Sequence, residues 1–86
     1  MHDLIAAQDI LKQAIKIAEK NKLKKITKIT VKLGKIVEHN QEIMPENLAF
    51  NFELVKRNTI AESAKLVVKI VRGKAVSIAE VQGEKR

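Results

Sequence analysis

The 86 residues contain no cysteine, no tryptophan and no tyrosine, and only two phenylalanines, one proline and three glycines. Without cysteine, a disulfide framework, a thiolate zinc site and thiol redox chemistry are all excluded. The scarcity of aromatics removes the stacking platforms on which single-strand nucleic-acid binders hold bases, and Phe50 and Phe52 both fall in one apolar helical stretch. No apolar run approaches the ~20 residues of a membrane span, and the start lacks the basic and apolar regions of a signal peptide. No membrane association and a cytoplasmic location are therefore expected. There is no glycine-rich phosphate loop, and no Ser, Thr or carboxylate stands at a recognisable spacing from a histidine, so an enzyme is not expected.

Charge is abundant and lopsided. Fourteen lysines and three arginines face ten acidic residues, a net charge of +7 spread along the whole chain. That balance favours encounters with acidic partners or nucleic acid without identifying either. With no aromatic platform, nucleic acid is not the expected main ligand. The length suits one domain near the size where stability is marginal, which leaves room for help from a partner or a homo-oligomer. A single domain is expected over residues 1–81, with 82–86 as a flexible tail.

The strongest periodic signal lies over residues 4 to 20. Leu4, Ala7, Ile10, Leu11, Ala14, Ile15, Ile17 and Ala18 share one face, with Gln8, Asp9, Lys12, Gln13, Lys16 and Glu19 opposite. Asp3 is a candidate N-cap for this helix, and Asn21 a candidate left-handed residue beyond its end. Residues 26 to 33 read as a strand, Thr27, Ile29, Val31 and Leu33 alternating with Lys28, Thr30 and Lys32. Gly34 ends the strand, and a polar loop follows that holds Glu38, His39 and Glu42.

Pro45 suits the first position of a second helix running to about residue 56. Leu48, Phe52 and Val55 form one stripe, while Phe50 and Leu54 project elsewhere, so this helix is either sandwiched or presents a side to a partner. Asn58 is a candidate left-handed residue after it. Residues 65 to 71 and 76 to 81 read as strands around Arg72-Gly73, and a hairpin with a three-residue loop sets Ile70 opposite Val76 and Val68 opposite Ile78. The fold expected is α+β, in the order α-β-α-β-β: two helices on one face of a three-stranded mixed sheet, the last two strands an antiparallel hairpin.

Met1-His2-Asp3 offers three nitrogen donors in a row: the terminal amine, the residue-2 amide and the imidazole. Nitrogen ligands in tetragonal geometry select Ni(II) or Cu(II) over Mg, Ca or tetrahedral Zn. At the N-terminus of a helix, the positive end of the dipole disfavours protonated amine and imidazolium, which keeps both nitrogens available to a metal.

Several stretches together resemble the HypA/HybF family of nickel metallochaperones: the opening Met1-His2-Asp3 and its helix, "ITVKLGKI" (29–36), "MPENLAFNFELVKRNTIAESAKLVVKIV" (44–71) and "GKAVSIAEV" (73–81). That family begins Met-His-Glu, has a strand ending in Leu-Gly, and carries a Pro-Glu-x-Leu-x-Phe-x-Phe-Glu helix followed by a Gly-Thr-Ile-Ala-Glu-Gly-Ala stretch. The resemblance implies a nickel(II) site at Met1, His2 and Asp3, with His39 the preferred fourth donor among the loop groups Glu38, His39 and Glu42. It implies delivery with a HypB-type GTPase toward the large subunit of [NiFe]-hydrogenase, or toward urease or another nickel enzyme. The departures matter as well. The family's two Cys-x-x-Cys pairs, in a zinc domain inserted between the last two strands, have no counterpart, so no zinc is expected. Asp3 replaces the usual Glu, and Asn58 and Ser63 stand where Gly is favoured. A small basic protein- or nucleic-acid-binding module that keeps this fold but has lost metal delivery is the alternative.

Overall fold

The computed structural model describes residues 2–34, 37–38, 41–42, 44–73 and 75–86, and the side chains of these apart from residues 2, 37, 38, 41 and 42. Along the chain run α1 (His2–Lys20), β1 (Leu23–Gly34), β2 (Val37–Glu38), β3 (Gln41–Glu42), α2 (Pro45–Val55), β4 (Lys65–Val71) and β5 (Val76–Lys85). The α+β class, the two helices and the three-stranded mixed sheet are as expected. Inside the polar loop, β2 and β3 add a short antiparallel ladder.

Amphipathic spacing places α1. Ala7, Ile10, Leu11, Ala14 and Ala18 are buried, and three alanines among them allow close approach to α2, against which α1 packs alongside β1 and β5. At its end the backbone N–H and the side-chain amide of Asn21 both donate to the Ile17 carbonyl, at 3.0 and 2.8 Å. The left-handed residue is Lys22, at φ 59°, one position later than expected, because Asn21 satisfies the carbonyl while still in the last turn.

The second helix opens on Pro45 after an extended Met44, as the sequence implies. Leu48 and Phe52 are fully buried beneath it. Asn51, also buried, donates its side-chain amide to the Asn47 carbonyl at 2.8 Å, so no polar atom is stranded there. Phe50 and Leu54 are 66% and 46% exposed, so α2 is not sandwiched; its second apolar side is open.

The hairpin is not formed. Strand order is β4-β1-β5: β1 is central, parallel to β4 and antiparallel to β5. Val68 and Ile78 do not face each other; both flank Val31. The reason is the burial of β1, whose Ile26, Ile29, Val31 and Leu33 are nearly inaccessible. With its inward side chains sealed in the core, β1 satisfies its backbone by pairing at both edges, and α2 supplies the crossover that a parallel pair needs.

Residues 82–85, expected as part of a flexible tail, belong to β5. β5 continues through them to pair Leu23 with Lys85, and the Arg86 N–H donates to the Lys22 carbonyl at 3.0 Å. β1 begins three residues before the alternating apolar pattern does, and this early part gives the C-terminal end an edge to pair with. Register shifts near Lys25, Lys28 and Val31 break strict alternation, which is why Ile26 is buried and Thr27, expected to face inward, is exposed.

Between α2 and β4 the chain is tied to itself. Thr59 Oγ1 donates to the Lys56 carbonyl at 2.6 Å and accepts from the Ala61 N–H at 3.1 Å. Asn58 takes φ 63°, as expected, and its N–H donates to Glu62 Oε2 at 2.7 Å. Lys56 Nζ donates to the Ala64 carbonyl at 2.9 Å and pairs with Glu53. The Ile60 carbonyl accepts from the Ile26 N–H at 2.9 Å, which fastens this turn to the central strand.

Candidate metal centre

His2 is the first residue of α1. Asp3 therefore lies within the first turn, half-buried, and is not the N-cap that the sequence suggested. The helix extends two residues further toward the N-terminus because Asp3 and Leu4 are already partly covered. This has a chemical consequence. The first N–H groups of a helix have no acceptor inside it, so the His2 amide can exchange its proton for a metal without breaking a helical hydrogen bond. The Asp3 carboxylate in the same turn places negative charge at the positive end of the helix, where it also offsets the charge of a bound cation.

Met1 and His39 lie outside the described residues, as does the side chain of His2. Of the four sequence-predicted ligands, the structure thus locates the His2 backbone and Asp3. The other loop carboxylates belong to the short ladder, in which Glu42 pairs with Val37 and Glu38 with Gln41. Among the described residues, no three His, Cys, Asp or Glu side chains converge on a point that could hold a metal. A chelate built from a terminal amine, a backbone amide and an imidazole is not a cluster of that type.

Phe50, Leu54 and Ile70 are large apolar side chains left exposed. The two-sided pattern of α2 signals the first two, whereas the sequence sets Ile70 opposite Val76 in a hairpin and the structure sets both beside Leu33.

A profile of the family described as hydrogenase/urease nickel incorporation, metallochaperone, hypA matches residues 1–78. The chain belongs to the HypA family. A hydrogenase maturation factor HypA of Caldanaerobacter subterraneus subsp. tengcongensis is 42% identical over 72 residues, covering 84% of this chain and 60% of that protein. The HypA of Archaeoglobus fulgidus is 33% identical over 72 residues, covering 84% and 62%. The chain thus spans about 60% of the length of these curated relatives. The solution structure of the Ni metallochaperone HypA from Helicobacter pylori superposes with a TM-score of 0.75 over 98% of both chains; at 12% identity this likeness establishes the HypA fold. HypA is a family of metallochaperones rather than of enzymes. No helix among the described residues is long and apolar enough to cross a membrane.

Proposed function

We propose that this chain is the nickel-carrying part of a hydrogenase-maturation metallochaperone. Ni(II) is its cargo, held in a square plane by the terminal amine of Met1, the amide and imidazole nitrogens of His2, and a fourth donor, for which His39 is the preferred group and Asp3 a supporting carboxylate. The observation that carries this reading is the family match, which includes the N-terminal residues, together with the position of His2 as the first residue of α1. That position leaves its amide without a helical acceptor and mounts the chelate on a helix anchored at Ala7 and Ile10. Nitrogen donors in tetragonal geometry suit Ni(II), and Cu(II) competes because it stands higher in the affinity order. With no cysteine, the chain brings no thiolate set for zinc. The proposed recipients are a HypB-type GTPase and, through it, the hydrogenase large subunit; urease maturation would use the same chemistry.

The test is nickel titration of chain with a free, unmodified N-terminus, following the d–d absorption of square-planar nickel. The band is expected with the native chain and absent after His2→Ala, or when the terminal amine is acetylated, since the first change removes the imidazole donor and the second the amine donor. If both altered chains keep the band and the affinity, the N-terminal site is wrong. His39→Ala then reports on the fourth donor: a shifted band places it at the metal, and an unchanged one removes it.

A further inference from the structure

The outer edge of β4 has a chemistry that nickel carriage does not use. Its inner edge runs in unbroken register with β1 over seven pairs, from Lys28 with Lys65 to Gly34 with Val71. Among the described residues no strand pairs with its outer edge. Five of its seven residues are apolar. β5, the other edge strand, is interrupted by a register shift at Ala79 and carries Glu80, Glu84 and Lys85. Bulges and edge charges, lysine above all, are the devices that keep an edge from pairing indiscriminately. β4 has no bulge, and its only charges are Lys65 and Lys69.

The two sides of that edge differ sharply. Register places Leu66, Val68 and Ile70 beside Ile29, Val31 and Leu33, on the side that bears the helices. Apolar surface stays open there: Ile70 is 61% exposed, and the exposed Phe50 ring lines a groove between α2 and the start of β4 with Ala49 and Leu66, in which the charged groups are Glu46, Glu53, Lys56 and Lys65. Another hollow lies at Ile70 and Val71. On the opposite side, Lys28 lies directly beside Lys65 and Lys32 beside Lys69. Like charges directly opposite one another destabilise a sheet, and no ion pair among the described residues relieves these four. The one acid that β5 contributes near the centre of this side, Glu80, is opposite Thr30 on β1 and is bonded to Gln82.

We infer that the outer edge of β4 is a docking edge for an extended segment of a partner protein whose residues alternate acidic and apolar. The segment adds a fourth strand, with its backbone bonded to β4. Its acidic side chains lie over Lys65 and Lys69, and its apolar ones pack on Phe50, Leu66 and Ile70. In strand addition the backbone supplies affinity and alternate side chains supply selectivity. The same lysines argue against a second copy as the occupant, because joining two β4 edges into one sheet gathers four lysines from each chain on one face. A phosphate backbone would use the lysines but leave the free peptide groups and the apolar side unmatched. The inference is independent of nickel.

The test uses the full, metal-free, isotope-labelled chain and two capped octapeptides, one alternating glutamate and valine, the other lysine and valine. The glutamate peptide is expected to shift β4 amides from Val67 to Val71 and to protect the alternate ones whose N–H groups point away from β1, and the lysine peptide to leave them unchanged. Lys65→Glu with Lys69→Glu should weaken the glutamate peptide about tenfold, as two reversed charge pairs imply, and confer binding of the lysine peptide. Lys65→Gln with Lys69→Gln gives a smaller weakening and keeps the test valid if charge reversal impairs folding. Lys12→Glu with Lys16→Glu, on the exposed side of α1, matches the charge change and should leave binding intact. Failure of the glutamate peptide to bind, shifts away from β4, or equal weakening by the α1 pair overturns the inference. So does concentration-dependent protection of β4 without peptide, which would make a second copy the occupant.

Discussion

Gly83→Ala decides whether the last residues are strand or tail. Gly83 pairs with Ile26 at one of the register shifts, and a β-carbon placed on it would lie 2.1 Å from the Lys25 carbonyl oxygen and 3.1 Å from Leu23 Cδ1. The first distance is far inside van der Waals contact, and its partner is backbone of the central strand, which cannot swing aside as a side chain can. Relief requires β5 to move away from β1 and loosen the pairing on either side. Forcing a methyl into packed surroundings costs about 1–3 kcal/mol. At about 4–8 °C per kcal/mol for a chain of this size, the melting temperature should fall by roughly 4–24 °C. Thermal and urea unfolding followed by far-UV circular dichroism measure it. Gln82→Ala is the control: its side chain is exposed and bonded only to exposed Glu80, so its effect should stay within about 0.5 kcal/mol. If Gly83→Ala is as neutral as Gln82→Ala, residues 82–85 do not pair as described and the cause given for the early start of β1 is wrong.

Substitutions at two further positions, Phe52 and Asn58, probe the core and the turn after α2. Phe52→Ala empties a fully buried position beneath α2 and should cost about 3–5 kcal/mol, enough to leave a substantial unfolded population by urea titration if total stability is near the low end of the usual range of roughly 5–15 kcal/mol. Asn58→Gly should be neutral within a few tenths of a kcal/mol in the same titration, whereas Asn58→Ala should cost about 1–2 kcal/mol because its φ of 63° strains a β-carbon that no local polar group compensates.

Much of the fold could be read from local signals. The 3.6-residue spacing of Ala7, Ile10, Leu11, Ala14 and Ala18 predicts both α1 and its buried face, and Pro45 marks the first position of α2. Asn58 announces its left-handed turn because few other residues tolerate one. What failed was pairing. Residues 65–71 and 76–81 are adjacent in sequence, and a Gly-containing turn between two β-rich stretches is the usual hairpin signal; nothing local to them reveals that β1 lies between. The information sits in β1 itself, whose inward residues Ile26, Ile29, Val31 and Leu33 are nearly inaccessible and place it at the centre of the sheet, with partners on both edges. Its N-terminal part was hidden for a related reason: the bulges around Lys25 and Lys28 break the alternation by which strands are recognised. At the candidate metal site the residue types could be read but their convergence could not. The proposed chelate of amine, amide and imidazole depends on the conformation of Met1 and His2, and the proposed fourth donor, His39, some 37 positions from His2, has no periodicity linking it to them.

The missing hairpin also explains the Leu-Gly at the end of β1. Since β1 separates β4 from β5, their short connection has to pass the end of the central strand. Gly34 stands there: its N–H donates to the Ala75 carbonyl at 3.0 Å, and a β-carbon on it would lie 2.5 Å from the Gly73 carbonyl oxygen. Only hydrogen fits between the strand end and the passing chain. The resemblance to HypA proteins implies that relatives insert a zinc domain at this connection, and the strand order makes such a change tolerable. In a hairpin, two strands hold each other through their turn, so a domain added at the turn lengthens the loop that must close before they pair. Here β4 and β5 are each registered by β1, β4 over all seven of its residues and β5 almost to the chain end. Opening or extending the connection between them leaves both ladders, and the helices above them, with the partners they already have. The N-terminal helix that carries the proposed nickel ligands packs on β1 and β5, so its support does not depend on what is attached between β4 and β5.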